Sequence, residues 1–149
     1  MGRVINLSNP ARRRNQSRRT IAEILRHLML KRELDEEAKD MAATLVFALR
    51  SIAETIEGST VAWEKRNYYL KADRFRRQWE WVPLFADRLQ KLVVSDRWEQ
   101  LPRELAMLAP YFQDVTITKL TRSPATWQAS YRLLKREGIG EQGADSREQ

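Results

Sequence analysis

Apolar residues recur at helical spacing along most of this chain. Ile21, Ile24, Leu25 and Leu28 keep to one face of a 3.6-residue period and predict a first helix over residues 17–32. Thr20 and Glu23 have the spacing of a capping box, in which hydroxyl and carboxylate satisfy each other's backbone donors. A second helix starts at Asp35, with Glu36 and Glu37 where the positive end of the helix dipole favours acids. Its apolar face is Ala38, Met41, Leu45, Leu49, Ile52 and Ile56. Gly58 is a possible end, but no proline intervenes and an isolated helical glycine costs only about 1 kcal/mol. The pattern therefore favours one rod from Asp35 to about Trp81, about 70 Å long at 1.5 Å per residue. Past Gly58 the stripe changes register. Trp63, Asn67 and Leu70 extend the first face, while Tyr68, Ala72, Phe75, Trp79 and Val82 form a second. A second face asks for a second neighbour, from this chain's later helices or from another subunit.

Pro83 suits the first turn of a further helix, where its missing donor is not needed. That helix runs to about Val94 with Leu84, Phe85, Leu89, Leu92 and Val93 facing inward. Asp96 and Glu99 repeat the capping-box spacing before a helical stretch that Pro102 interrupts and Pro110 stops. Residues 114–121 alternate like a strand but have no ladder partner, so they read as an extended connector. Ser123 and Pro124 read as N-cap and first residue of a last helix, which carries Trp127, Tyr131 and Leu134 inward and ends at Gly138.

The expected fold is all-α: a single-domain helical bundle of four to five helices around one long central helix, with flexible termini. Residues 1–16 read as a flexible basic arm, with Val4, Ile5 and Leu7 as a short docking segment. Residues 17–137 form the bundle, and residues 138–149 a polar, glycine-rich, disordered tail. In outline this resembles the small all-helical accessory subunits of larger assemblies, a likeness of architecture without a shared motif.

Length and composition agree with that picture. A chain of 149 residues, 42% hydrophobic and 32% charged, suits one soluble globular domain. No apolar run approaches the 18 residues of a membrane span. The absence of cysteine excludes disulfides, thiolate nucleophiles and thiolate metal sites, and suits a reducing cytoplasm. The Arg-rich, acid-poor start also has the composition of an organellar transit peptide, but the residues that follow read as ordinary structure. The net charge of +7 is unevenly placed. Residues 1–32 hold nine cations against Glu23 alone, and the other 117 residues hold 18 cations and 19 anions. The basicity belongs to the N-terminal segment.

Catalytic machinery is hard to find. Phosphate-cradling loops need clustered glycines, and the glycines stand only at position 2, position 58 and the C-terminal tail. His27 is the single histidine, so a di-iron bundle, which needs two Glu-x-x-His motifs, is out of reach. It reads as a solvent-facing or capping residue. Glu33, Asp35, Glu36, Glu37 and Asp40 lack the spacing of a calcium loop and read as a helix-start charge set. The expectation is no catalytic residue, no cofactor, no metal and no enzyme.

Binding readings remain, and they centre on residues 63–81. This stretch carries six of the chain's 13 aromatics and six of its 27 Lys and Arg, without Gly or Pro. Blandly read, Trp63, Tyr68, Phe75 and Trp79 are core, and the cations pair with Glu64, Asp73 and Glu80 or cover the rings. Functionally read, Tyr68, Tyr69, Phe75, Trp79 and Trp81 offer a surface to a protein partner or a second copy. The alternative is sequence-nonspecific nucleic-acid binding by Arg12, Arg13, Arg14, Arg18 and Arg19 of the arm with Arg74, Arg76 and Arg77. Peripheral membrane contact fits less well, because the first helix lacks aromatic anchors.

Overall fold

A computed structural model describes residues 9–138. The docking segment expected at Val4–Leu7 and the tail after Gly138 lie outside the described residues. Within them the chain is all helix and connector, with no strand. Helix α1 (Pro10–Leu30) packs antiparallel to α2 (Glu36–Lys65). Helices α3 (Tyr69–Trp79) and α4 (Trp81–Val94) run back along α2, and a short α5 (Leu101–Leu108) follows. After an extended connector, α6 covers residues 130–138.

Helix α1 starts earlier than periodicity suggests. The Asn9 side chain caps it by accepting from the Arg12 N–H at 3.2 Å, and Pro10 fills the first turn. Residues 10–16, expected in a flexible arm, are thus helical. The reason is tertiary: this polar half of α1 lies over α3 and α2, held by arginines instead of apolar contacts. Thr20 is mid-helix, its hydroxyl donating to the Gln16 carbonyl, so the expected capping box does not form. Helix α2 starts as expected, with Asp35 accepting from the Ala38 N–H at 2.8 Å. Ile21, Ile24, Leu25 and Leu28 of α1 are all buried, as is the whole expected α2 face from Ala38 to Ile56.

The central rod passes through Gly58 unbroken but stops at Lys65. Asn67 takes φ 65°, the Asn67 N–H donates to the Glu64 carbonyl, and the Tyr68 N–H donates to the Trp63 carbonyl, both at 2.9 Å. This pair of bonds with a left-handed residue is a Schellman stop, and asparagine is among the few side chains that tolerate it. The second face of residues 68–82 therefore belongs to α3 and α4, and α1 is one of its neighbours. Arg14 lies 4.9 Å from the Phe75 ring centroid and 5.9 Å from that of Trp79.

Three further expectations are corrected. Leu84 points outward, 64% exposed, because α4 turns its other side to α2. Asp96 caps nothing: it sits at φ 56°, and its carboxylate accepts from Trp98 Nε1 and the Tyr131 hydroxyl while pairing with Lys135. Pro102 opens α5 instead of interrupting a helix. Trp127 and Leu134 are buried as expected, and residues 114–121 are a connector without regular structure. Gly138 meets α4 so closely that a Cβ would stand 2.8 Å from Val94 Cγ2.

Candidate functional site

The Arg-rich half of α1 does structural work. Arg13 pairs with Glu54 at 3.1 Å, and the Arg14 guanidinium donates to the Thr55 hydroxyl at 3.3 Å. Burial, and then the charge of Arg18, lower the Arg14 pKa. Arg18 bonds Asp114 at 2.5 Å and lies over Trp79 and Phe112. Arg19 bonds Glu23 at 2.7 Å and the Thr116 and Lys119 carbonyls. Of the five candidate arginines here, Arg12 and Arg14 make no ion pair among the described residues, and Arg14 is held instead by the Thr55 hydroxyl and the Phe75 ring.

Glu23 is the centre of this arrangement. Its side chain has no exposed surface, yet it faces Arg19, the Thr121 N–H at 2.6 Å, the Thr121 hydroxyl at 2.7 Å and the Arg122 N–H at 2.9 Å. Burial alone would raise its pKa. The bonds from Arg19, Arg122 and Thr121 together outweigh that and hold it at about 2. Arg122 in turn donates to the Thr20 hydroxyl and to Gln16. A buried carboxylate thereby pins the connector to α1. It has the spacing of a cap and a different job.

The aromatic stretch forms an internal ladder. Trp63 meets Phe75 edge-on at 4.9 Å, Phe75 meets Trp79 at 6.2 Å, and Trp81 stacks on Tyr111 at 3.7 Å. Phe75, Trp79 and Trp81 are half-buried, whereas Tyr68 and Tyr69 are 54% and 61% exposed. Arg76 is engaged by Glu64 and Glu57, and Arg77 by Asp73 at 3.2 Å. Arg74 makes no ion pair among the described residues. With Tyr68, Tyr69, Trp63 and Lys71 it lines an open cleft of about 550 Å³. The structure thus brings part of each expected set to one place and sequesters the rest.

His27 is not a solvent-facing or capping residue. Its ring is half-buried, 5.3 Å from that of Trp127. Among the described residues no three His, Asp or Glu side chains are grouped to hold a metal, and no helix is long and apolar enough to cross a membrane.

A second surface lies at the other end of the α1–α2 hairpin. Met29 and Leu30 are 77% and 75% exposed at the end of α1, and Leu34 follows in the link to α2. Beside them a groove of about 470 Å³ runs between Leu25, Leu28 and Met29 on one side and Leu101, Leu105 and Ala109 on the other. A second hollow flanks Met29 and Leu30, walled by Phe112, Val115 and Ile117. Sequence reasoning passed over this site. Its signal was Leu28-Met29-Leu30, three consecutive apolar residues that cannot share one helix face.

No protein-family model, curated protein or solved structure matches this chain.

Proposed function

We propose that this protein is a non-enzymatic helical association module of the cytoplasm that pairs with a second copy of itself through the Met29–Leu30 face. The observation that carries this reading is the pair of side chains themselves, large, apolar and three-quarters exposed, between two apolar hollows. Burying each such side chain is worth roughly 1.5–3 kcal/mol. A ridge beside hollows suits an isologous pairing, in which the ridge of each copy enters the hollow of the other. The rim supports the same geometry. Arg32 and Glu33 stand side by side at the groove, both exposed, so a two-fold axis can set each against its opposite on the other copy.

Light scattering at tens of micromolar tests the proposal. The expected result is a dimer that Leu30→Asp converts to monomer while the helical circular dichroism is retained. A monodisperse wild-type monomer at that concentration overturns it.

A further inference from the structure

The turn that ends α2 builds the cleft at the opposite end of the hairpin. Its left-handed Asn67 throws Tyr68 and Tyr69 outward, and the Tyr69 hydroxyl donates to Asn67 Oδ1 at 3.3 Å, which orients that ring. Trp63 and Phe75, in edge contact, form the floor. Lys71 Nζ sits 4.5 Å from the Trp63 ring centroid, so a ring and not a carboxylate holds it, and its donors stay available.

The charge at this end is lopsided once internal pairs are removed. Arg12, Lys65, Arg66, Lys71 and Arg74 are exposed and make no ion pair among the described residues. Between residues 54 and 80 the one acid without an ion pair among the described residues is Glu80; Glu54, Glu57, Glu64 and Asp73 are each paired. Arg12 joins this end because α1 starts there: a Cβ on Gly58 would lie 3.7 Å from Pro10 Cγ, and Arg14 covers Phe75. Lys71 and Arg74 thus line the exposed aromatic cleft itself, and the start of α1, more than 50 residues away in sequence, lies at the same end of the hairpin.

We infer that this cleft binds single-stranded nucleic acid, stacking bases on Tyr68 and Tyr69 and holding phosphates with Lys71, Arg74 and the neighbouring unpaired cations. Exposed rings interleaved with unpaired cations accept any base by its π-face and any phosphate by charge. A duplex keeps its bases stacked and would forgo the tyrosines. An acidic peptide would use the cations and forgo them too. The contacts differ from those the charge pattern alone suggests, since Arg13, Arg14, Arg18, Arg19, Arg76 and Arg77 are engaged internally. The inference is independent of self-association, because the two faces lie at opposite ends of the α1–α2 hairpin.

Fluorescence anisotropy of a labelled oligo-dT and oligo-rU, a DNA duplex and poly-glutamate, each over 50–200 mM salt, tests it with the full chain. About four phosphates neutralised give a log–log salt slope of about −3 for single strands, a loss of about fifty-fold across that range. Tyr69→Ala is expected to weaken single-strand binding about ten-fold with the slope unchanged. Lys71→Gln with Arg74→Gln is expected to flatten the slope by about 1.4. Leu30→Asp leaves both unaltered, so failure here is separable from failure of the dimer. No single-strand binding at 50 mM salt, duplex or poly-glutamate binding as tight as the single strand, or indifference to Tyr69→Ala would each overturn the inference.

Discussion

The chain has two cation-rich regions, and they differ in what their charges face. In the first half of α1, Arg13, Arg14, Arg18 and Arg19 reach acids, carbonyls, hydroxyls and rings of other elements. Around the α2–α3 turn, Lys65, Arg66, Lys71 and Arg74 have no acid partner among the described residues. The first region looked like the free one in sequence, because its arginines come without acids nearby. Their partners lie 4 to 100 residues away, on α1 itself at Glu23 and otherwise on α2, α3 and the connector. Local charge density says how many cations there are. The fold decides which of them are available to a ligand.

The sharpest way to break the comparison is to cut the α1 network at its anion. Glu23→Gln leaves Arg19 without its counter-charge and replaces an acceptor of four bonds with an amide that carries two donors. Removing one member of a buried pair costs roughly 3 kcal/mol or more, and urea unfolding at neutral pH should show a loss of that order. A change below about 0.5 kcal/mol would place α1 outside the cooperative fold, and the two regions would then be alike.

Acid titration follows from the same carboxylate. The folded pKa of Glu23, about 2, lies below its ordinary value of 4.5. A depressed carboxylate contributes stability that is complete above the unfolded pKa and lost as pH falls through the folded one. The stability difference between wild type and Glu23→Gln should therefore be constant above about pH 5 and shrink between pH 4.5 and 2. Lowered pKa values at Asp114, held by Arg18, and at Asp96, held by Lys135, act in the same direction on wild type. A difference that persists undiminished near pH 2 would mean that the substitution acts through packing and not through charge.

Arg18→Gln comes next. It removes the bond to Asp114, whose carboxylate is largely exposed, and the guanidinium over Trp79 and Phe112. An exposed pair contributes up to about 1 kcal/mol and a partly covered cation–π contact a similar amount. A loss of about 1–2 kcal/mol in chemical denaturation is expected, between the effect of Glu23→Gln and that of any cation at the cleft.

The legible and illegible parts of the molecule divide along the same line. The faces of Ile21–Leu28 and Ala38–Ile56 were readable because one period governs them and burial is the only demand on them. Passage through Gly58 followed from its low helical cost. The stop at Asn67 did not, because asparagine at φ 65° looks like any helical polar residue until its neighbours' backbone bonds are seen. Glu23 was misread for a related reason: a capping box and a buried staple use the same residue types at the same spacing. The partner rings were half readable. Tyr68 and Tyr69 are exposed, but Phe75, Trp79 and Trp81 meet α1 and Tyr111, neighbours that only the tertiary fold supplies. Met29 and Leu30 escaped notice because they sit beside a correctly read face.

The smallest expected effect is the one that closes the comparison. Arg74→Gln removes a guanidinium with no ion pair among the described residues, so its stability should stay within about 0.5 kcal/mol of wild type, as for surface substitutions generally. Lys71→Gln forfeits only the contact with Trp63, worth roughly 0.5–1 kcal/mol at an exposed site. Thermal and urea unfolding of both variants should then overlay wild type or nearly so. Arginines that hold the fold and arginines kept for a ligand would be separated by one measurement, since the first class loses stability on neutralisation and the second loses only binding. If Arg74→Gln instead destabilises by more than about 1 kcal/mol, the cleft cations are as structural as those of α1. The geometry that singles out the α2–α3 turn would then carry no distinction at all.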